Sequence, residues 1–235
     1  MTNKTNLSLL GLFIAIGLTL LGIFIFKGIV SYQDANRTVA VRGLSEREVK
    51  ADKVLWPVVY TQTGNDLNVI YNQIEKNNEI ILKFLTSAGL DEKDIIVNSA
   101  SIVDLNADRY SVNMKDFRYI ATQVITVNSA KVEEVVALQQ KQNELIKSGI
   151  ALSGDKYQYP TSFVFTGLND IKPDMIAEAT MAAKESADKF ALDNDIEIGA
   201  IRSASQGQFS ITDRDQYTPQ IKHVRIVTYV TYQLD

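Results

Sequence analysis

Residues 54–87 read VLWPVVYTQTGNDLNVIYNQIEKNNEIILKFLTS, and two periodicities meet inside this stretch. Val54 to Thr63 is rich in β-branched and aromatic residues and reads as a strand. From about Asp66 to Ser87, the apolar residues Leu67, Ile70, Ile74, Ile81, Leu82 and Leu85 recur at helical spacing, and Gly89 stands where a helix stop belongs. A sheet covered on one face by a helix is the expected outcome.

Working outward, Thr38 to Val41 reads as a short strand before this unit, and Ile95 to Val103 and Tyr119 to Val127 as two strands after it. In Tyr119–Val127, Ile120, Thr122, Val124 and Thr126 alternate with Tyr119, Ala121, Gln123 and Ile125, so one side is expected to be wetter than the other. A helix from about Val132 to Lys147 follows. The order then returns: strand Thr161 to Thr166, helix from Lys172 or Pro173 to Leu192, strand Ile198 to Phe209, strand Val224 to Tyr232.

A constant offset of 104 places Leu67–Ser87 on Ile171–Ala191, Ser99-Ala100-Ser101 on Ser203-Ala204-Ser205, and Arg118–Val127 on Lys222–Thr231. One offset fits three elements, although identity between the two halves is low. The expected architecture is α+β: two tandem β-α-β-β modules, 38–128 and 157–235, antiparallel sheets each covered by a helix, with a connector helix at 131–149. In the second helix, Ile176, Ala179, Ala183, Ala187, Phe190 and Ala191 face one way, and small alanines let a helix lie close to its sheet. Asp174, Glu178, Lys184, Glu185, Asp188 and Lys189 are left mainly for solvent.

Ahead of all this stands Leu7 to Phe26, twenty residues interrupted only by Ser8 and Thr19. At about 1.5 Å per residue such a helix spans the roughly 30 Å hydrocarbon core of a bilayer. A cleavable signal has an apolar region of about 7–15 residues and a small-x-small exit. This run is longer, and Lys27-Gly28-Ile29-Val30-Ser31 offers no such exit, so residues 1–31 are expected to be an uncleaved signal-anchor. A lipoprotein signal would need a cysteine, and the sequence has none. Ser8, Gly11, Ala15, Thr19 and Gly22 share one face of this helix; Gly11, Ala15 and Gly22 are candidates for close packing with a second helix, although no Gly-x-x-x-Gly occurs and small residues are common in membrane helices. Lys4 on one side, against Lys27, Arg37 and Arg42 on the other, leaves orientation undecided, because long domains cross largely regardless of such charges.

The remaining 200 or so residues suffice for one large domain or two small ones. A net charge of −4, with acidic and basic residues interspersed, lacks the basic stripe of a nucleic-acid surface. No phosphate-binding glycine loop, dinucleotide fingerprint or Gly-x-Ser-x-Gly elbow occurs. His223 is the only histidine, which with no cysteine argues against a transition-metal site, and no cofactor is expected. Two polar loops hold acidic pairs at equivalent positions of the two modules: Asp104 and Asp108 in the first, Asp213 and Asp215 in the second. Arg109, Lys115, Arg118 and Arg214 lie among them and neither loop has a calcium-loop pattern, so solvated loop charge is the plainer reading. The same loops carry Tyr110 and Tyr217, and Tyr and Arg are enriched at interface hot spots, so Arg109, Tyr110, Arg214 and Tyr217 are candidate interaction residues.

Several residues resemble the SIMPL domain family (DUF541), proteins of unknown function common in bacterial envelopes. They are Val41-Arg42-Gly43 opening the domain, Ala88-Gly89-Leu90 before Asp94-Ile95, Phe163-Val164-Phe165 before the Ala-rich helix Ala177–Ala191, and the final Val227-Thr228-Tyr229-Val230-Thr231-Tyr232. The similarity runs from about Thr38 to the C-terminus. Where relatives commonly have Pro-Asp ahead of the long first strand, this chain has Ala51-Asp52. The resemblance implies an α+β domain at 38–235 on the extracytoplasmic, periplasmic face of a bacterial cell membrane, held by a single pass, and it brings no catalytic residues.

The expected function is therefore non-enzymatic: a membrane-anchored envelope protein that forms a homo-oligomer through sheet edges or the loops around Tyr110 and Tyr217, in envelope or stress protection. One rival is a tethered binding module for a peptide, lipid or small molecule, using the groove between modules or a sheet face with Tyr229 or Tyr232. Another is a carboxylate-dependent hydrolase built on Asp104, Asp108, Asp213 and Asp215.

Overall fold

The computed structural model describes residues 2–34, 37–107, 116–153 and 157–234, and the side chains of all of these except 2–10 and 30–34. The first element is helix α1 (Thr2–Asp34). Its stretch Gly11–Ile29 has a mean hydropathy of 2.3, is long and apolar enough to cross a membrane, and buries nothing against the rest of the protein.

The remaining chain is α+β, as its periodicity predicts. In order it forms β1 (Thr38–Lys50), β2 (Lys53–Gly64), α2 (Leu67–Ser87), β3 (Ile95–Val97), β4 (Ser101–Asp104), β5 (Tyr119–Ser129), α3 (Val132–Gln140), α4 (Asn143–Lys147), β6 (Ser162–Val164), α5 (Leu168–Asp193), β7 (Ile198–Gln206), β8 (Ser210–Asp213) and β9 (Ile221–Leu234). Contacts divide it into two units, residues 1–47, 171–210 and 224–235, and residues 48–170 and 211–223.

One sheet has the order β1-β9-β7, with β8 also pairing β9. Helix α5 buries Met175, Ala179, Ala183, Ala187 and Ala191. Ala183 and Ala187 pack with Val39, Val230 and Tyr232. Ile176 is only half-buried and Phe190 is exposed, so the stripe turns slightly toward Met175. Glu178 is not simply solvated: it accepts from the Ser45 hydroxyl and the Arg47 guanidinium, both at 2.6 Å.

The second unit has sheet order β3-β5-β2-β6, with β4 also pairing β5. β2 and β5 run antiparallel from Val54↔Ser129 to Gly64↔Tyr119. Trp56, Val58 and Tyr60 of β2 and Ala121, Ile125 and Val127 of β5 share a core with Ile70, Ile74, Ile81 and Leu85 of α2 and Val135 and Leu138 of α3. Asp66 caps α2, its carboxylate accepting from Asn68 N at 2.7 Å. Leu67, read as part of the buried stripe, is exposed in the first turn.

The strands do not partition along the sequential modules 38–128 and 157–235. β1 pairs with β9, and β6 pairs with β2 (Lys53↔Val164, Leu55↔Ser162), so the leading strand of each stretch joins the sheet of the other. Packing at Gly43 shows why β1 belongs beside α5: a Cβ there would stand 1.7 Å from Ala179 O and 2.4 Å from Ala183 N, so only glycine fits against this helix. The single connector helix is also divided, α3 ending at Gln140 and α4 beginning at Asn143.

Candidate functional site

The edge of the second sheet is its least protected part. Residues 95–103, IIVNSASIV, carry no charge, and they form not one strand but two. Val97 pairs with Ile125 and Ser101 with Thr122, so four steps on one side meet three on the other and Asn98–Ala100 bulge. Polar bonds pin the bulge: Asn98 N donates to Val124 O at 3.1 Å, and Asn98 Nδ2 to Thr126 Oγ1 at 3.0 Å. From the core, the buried Gln123 donates Nε2 to Asn98 O at 2.7 Å. On this edge Ile96, Val97, Ile102 and Val103 are 52, 43, 50 and 54% exposed. Pairing places Val97 and Ile102 on the face of buried Ile125 and Ala121, and Ile96 and Val103 on the opposite face. Edge strands are ordinarily guarded by lysine, proline or inward charge. None of these stands between Ile95 and Val103.

The β8–β9 turn carries the predicted pair Arg214 and Tyr217. Tyr217 projects into solvent, 82% exposed. Arg214, in contrast, is engaged on three sides, donating to Asp215 at 3.1 Å, Glu48 at 3.3 Å and Thr218 Oγ1 at 3.0 Å. Asp215 accepts from the backbone N–H of Tyr217 and Thr218, each at 2.8 Å, and from the Thr218 hydroxyl. The Thr218 hydroxyl first, then Arg214 and the Tyr217 amide, hold its carboxyl far below the usual carboxylate range. Asp213 pairs with Lys222. Asp104 receives a forked Arg118 guanidinium, Nε at 3.2 Å and Nη2 at 3.0 Å, which lowers its pKa. Asp104, Asp213 and Asp215 are thus all bound up in ion pairs. Asp108, Arg109 and Tyr110 lie outside the described residues.

His223 is half-buried on β9. Among the described residues no group of three or more His, Cys, Asp or Glu side chains could hold a metal ion. Gly11, Ala15 and Gly22 stand on the exposed surface of α1, where the Thr19 hydroxyl folds back to Ala15 O at 2.8 Å.

A cleft of about 570 Å³ opens beside the middle of β2. Neighbouring chain pairs with β2 at Lys53–Leu55, through β6, and again at Tyr60, through Leu152. Trp56–Val59 lie between the two. Pro57 explains the gap, since a proline has no N–H to give a neighbouring strand.

The family SIMPL, described as a protein of unknown function (DUF541), matches residues 39–225. The chain belongs to the SIMPL family. No curated protein matches it. In this SIMPL domain Ala51 N donates to Gln220 O at 2.8 Å, a bond a proline at that position could not make. The next residue of the SIMPL domain, Asp52, is a fastener. Its carboxylate accepts from Thr166 N at 2.8 Å, Thr166 Oγ1 at 3.0 Å and Gly167 N at 3.1 Å. Those amides lead into α5, which begins at Leu168, a turn ahead of the predicted start at Lys172 or Pro173.

Proposed function

We propose that this SIMPL protein is a membrane-tethered interaction module whose partner is a second copy of itself, joined through the β3–β4 edge on the extracytoplasmic side of a bacterial membrane, in a structural or protective envelope role. The observation that carries the reading is the uncharged edge Ile95–Val103 with four exposed aliphatic side chains. Unpaired strand edges are pairing templates, and pairing two such edges satisfies backbone groups and buries the aliphatic groups together. α1 supplies the tether and raises the local concentration of copies.

The test is the mass of detergent-extracted full-length protein by light scattering on a size-exclusion column, wild type beside the double variant Ile102→Lys and Val103→Lys. A discrete wild-type assembly that falls to monomer in the variant, with unchanged circular dichroism, is the expected result. A monomeric wild type sinks the reading. An assembly that survives the edge variant but is lost on Gly11→Leu and Gly22→Leu replaces the edge with the α1 face.

A further inference from the structure

We propose that the cleft over Pro57 is a binding site for an uncharged sugar. The inference does not depend on whether the β3–β4 edge self-associates, because the cleft is lined by a separate set of residues.

Its lining contains no Asp, Glu, Lys, Arg or His, which sets aside phosphates, carboxylates and cationic ligands. Three carboxamides, Gln139, Gln142 and Gln216, and the phenol of Tyr159 face a space of about 570 Å³, large enough for one or two sugar rings. A carboxamide carries a donor and an acceptor side by side, the complement of two adjacent hydroxyls, each of which can give and accept. Gln139 is pre-oriented: its Nε2 donates to Thr161 Oγ1 at 3.2 Å. Among the described residues no side-chain hydrogen bond engages Gln142, Gln216 or Tyr159. They remain available to a ligand. The aromatic ring of Tyr159 and the apolar ring of Pro57 add surface suited to the C–H face of a sugar, and the core residue Trp56 lies at the border of the cleft.

The backbone argues against an extended peptide in the same place. A strand laid along β2 would look for N–H and C=O groups on its open side. Pro57 has no N–H, and Val59 O is already taken by Ser153 N at 2.7 Å. Recognition there falls to side chains, and these are amides and hydroxyls. The same polarity makes the cleft a poor fit for an acyl chain.

Trp56 is the only tryptophan and lines the cleft, so its emission reports occupancy directly. Full-length protein in detergent is titrated with maltotriose, cellotriose and the fully N-acetylated chitotriose, all uncharged, and with a capped neutral hexapeptide of alternating glycine and serine. The expected result is a saturable change in Trp56 emission with at least one sugar, weakened fivefold or more in the double variant Gln139→Ala and Gln142→Ala. That variant should keep its circular dichroism and thermal midpoint, which separates lost binding from lost folding. Three outcomes overturn the proposal: no saturable response to any of the three sugars, equal sugar binding in the double variant, or a response to the peptide alone.

Discussion

Gly43 of β1 lies directly against Ala179 of α5, so close that a Cβ on the glycine would stand 1.7 Å from the alanine carbonyl oxygen. The obstruction is backbone, and α5 is held there by Ala179, Ala183 and Ala187, all fully buried. A methyl group cannot be absorbed by a side-chain rotation. Gly43→Ala is expected to destabilise the fold by about 3 kcal/mol, at the upper end of overpacking costs. Urea unfolding of the variant measures it; a midpoint equal to wild type would mean that α5 shifts freely on its sheet.

Asp52→Ala removes the acceptor of the Thr166 and Gly167 amides and of the Thr166 hydroxyl. The loss expected is about 1–2 kcal/mol, the range for removing a helix-capping acceptor. Asn at this position keeps one acceptor oxygen, so Asp52→Asn should retain part of the stability. Native-state hydrogen exchange at Thr166 and Gly167 locates the effect, and protection unchanged in Asp52→Ala would show that these amides do not rely on the carboxylate.

Helices were legible in the sequence because their signal is local: the spacing of Ile70, Ile74, Ile81 and Leu85 and the alanine stripe of α5 needed no partner to be read. Strand partners were not, because β1 finds β9 across more than 170 residues and no local pattern records that choice. The bulge at Asn98–Ala100 hid inside a run that reads as one strand, and nothing local to that run records that its aliphatic residues are left exposed. Pro57 in mid-strand was a signal for an open strand edge that composition alone did not reveal. Arg214 looked like a free contact residue, yet Asp215, followed two and three residues later by the amides it captures, is the pattern of an Asx turn that engages its neighbours.

Tyr60 is fully buried, and its hydroxyl lies 3.0 Å from Ile74 O and 2.9 Å from Asn78 Oδ1, tying β2 to α2. Burial raises its pKa, so it stays a neutral donor across the working range. Tyr60→Phe keeps the ring and removes the tie. The expected cost is about 1–2 kcal/mol, read as a lower urea midpoint at constant slope. An unchanged midpoint would mean that α2 is held by its aliphatic face alone.

Asp215 gives the β8–β9 turn a pH dependence whose sign is fixed. Its folded pKa is depressed below the ordinary 3.8, so its contribution to stability is fully present above that value and is lost as pH falls through the folded value. Asp104, Glu133 and Glu178 are also lowered, by Arg118, Lys50 and Ser45 respectively, and a global acid melt would mix all four. The turn needs a local reading. Hydrogen exchange at the Tyr217 and Thr218 amides, which donate to Asp215, supplies one. Slow exchange is expected near neutrality in wild type, faster exchange in Asp215→Ala at the same pH, and a gap between the two that closes as acid protonates the wild-type carboxyl. Equal protection of the two proteins near neutrality would show that the turn stands without its carboxylate, and Arg214 would then be held by Glu48 and Thr218 alone.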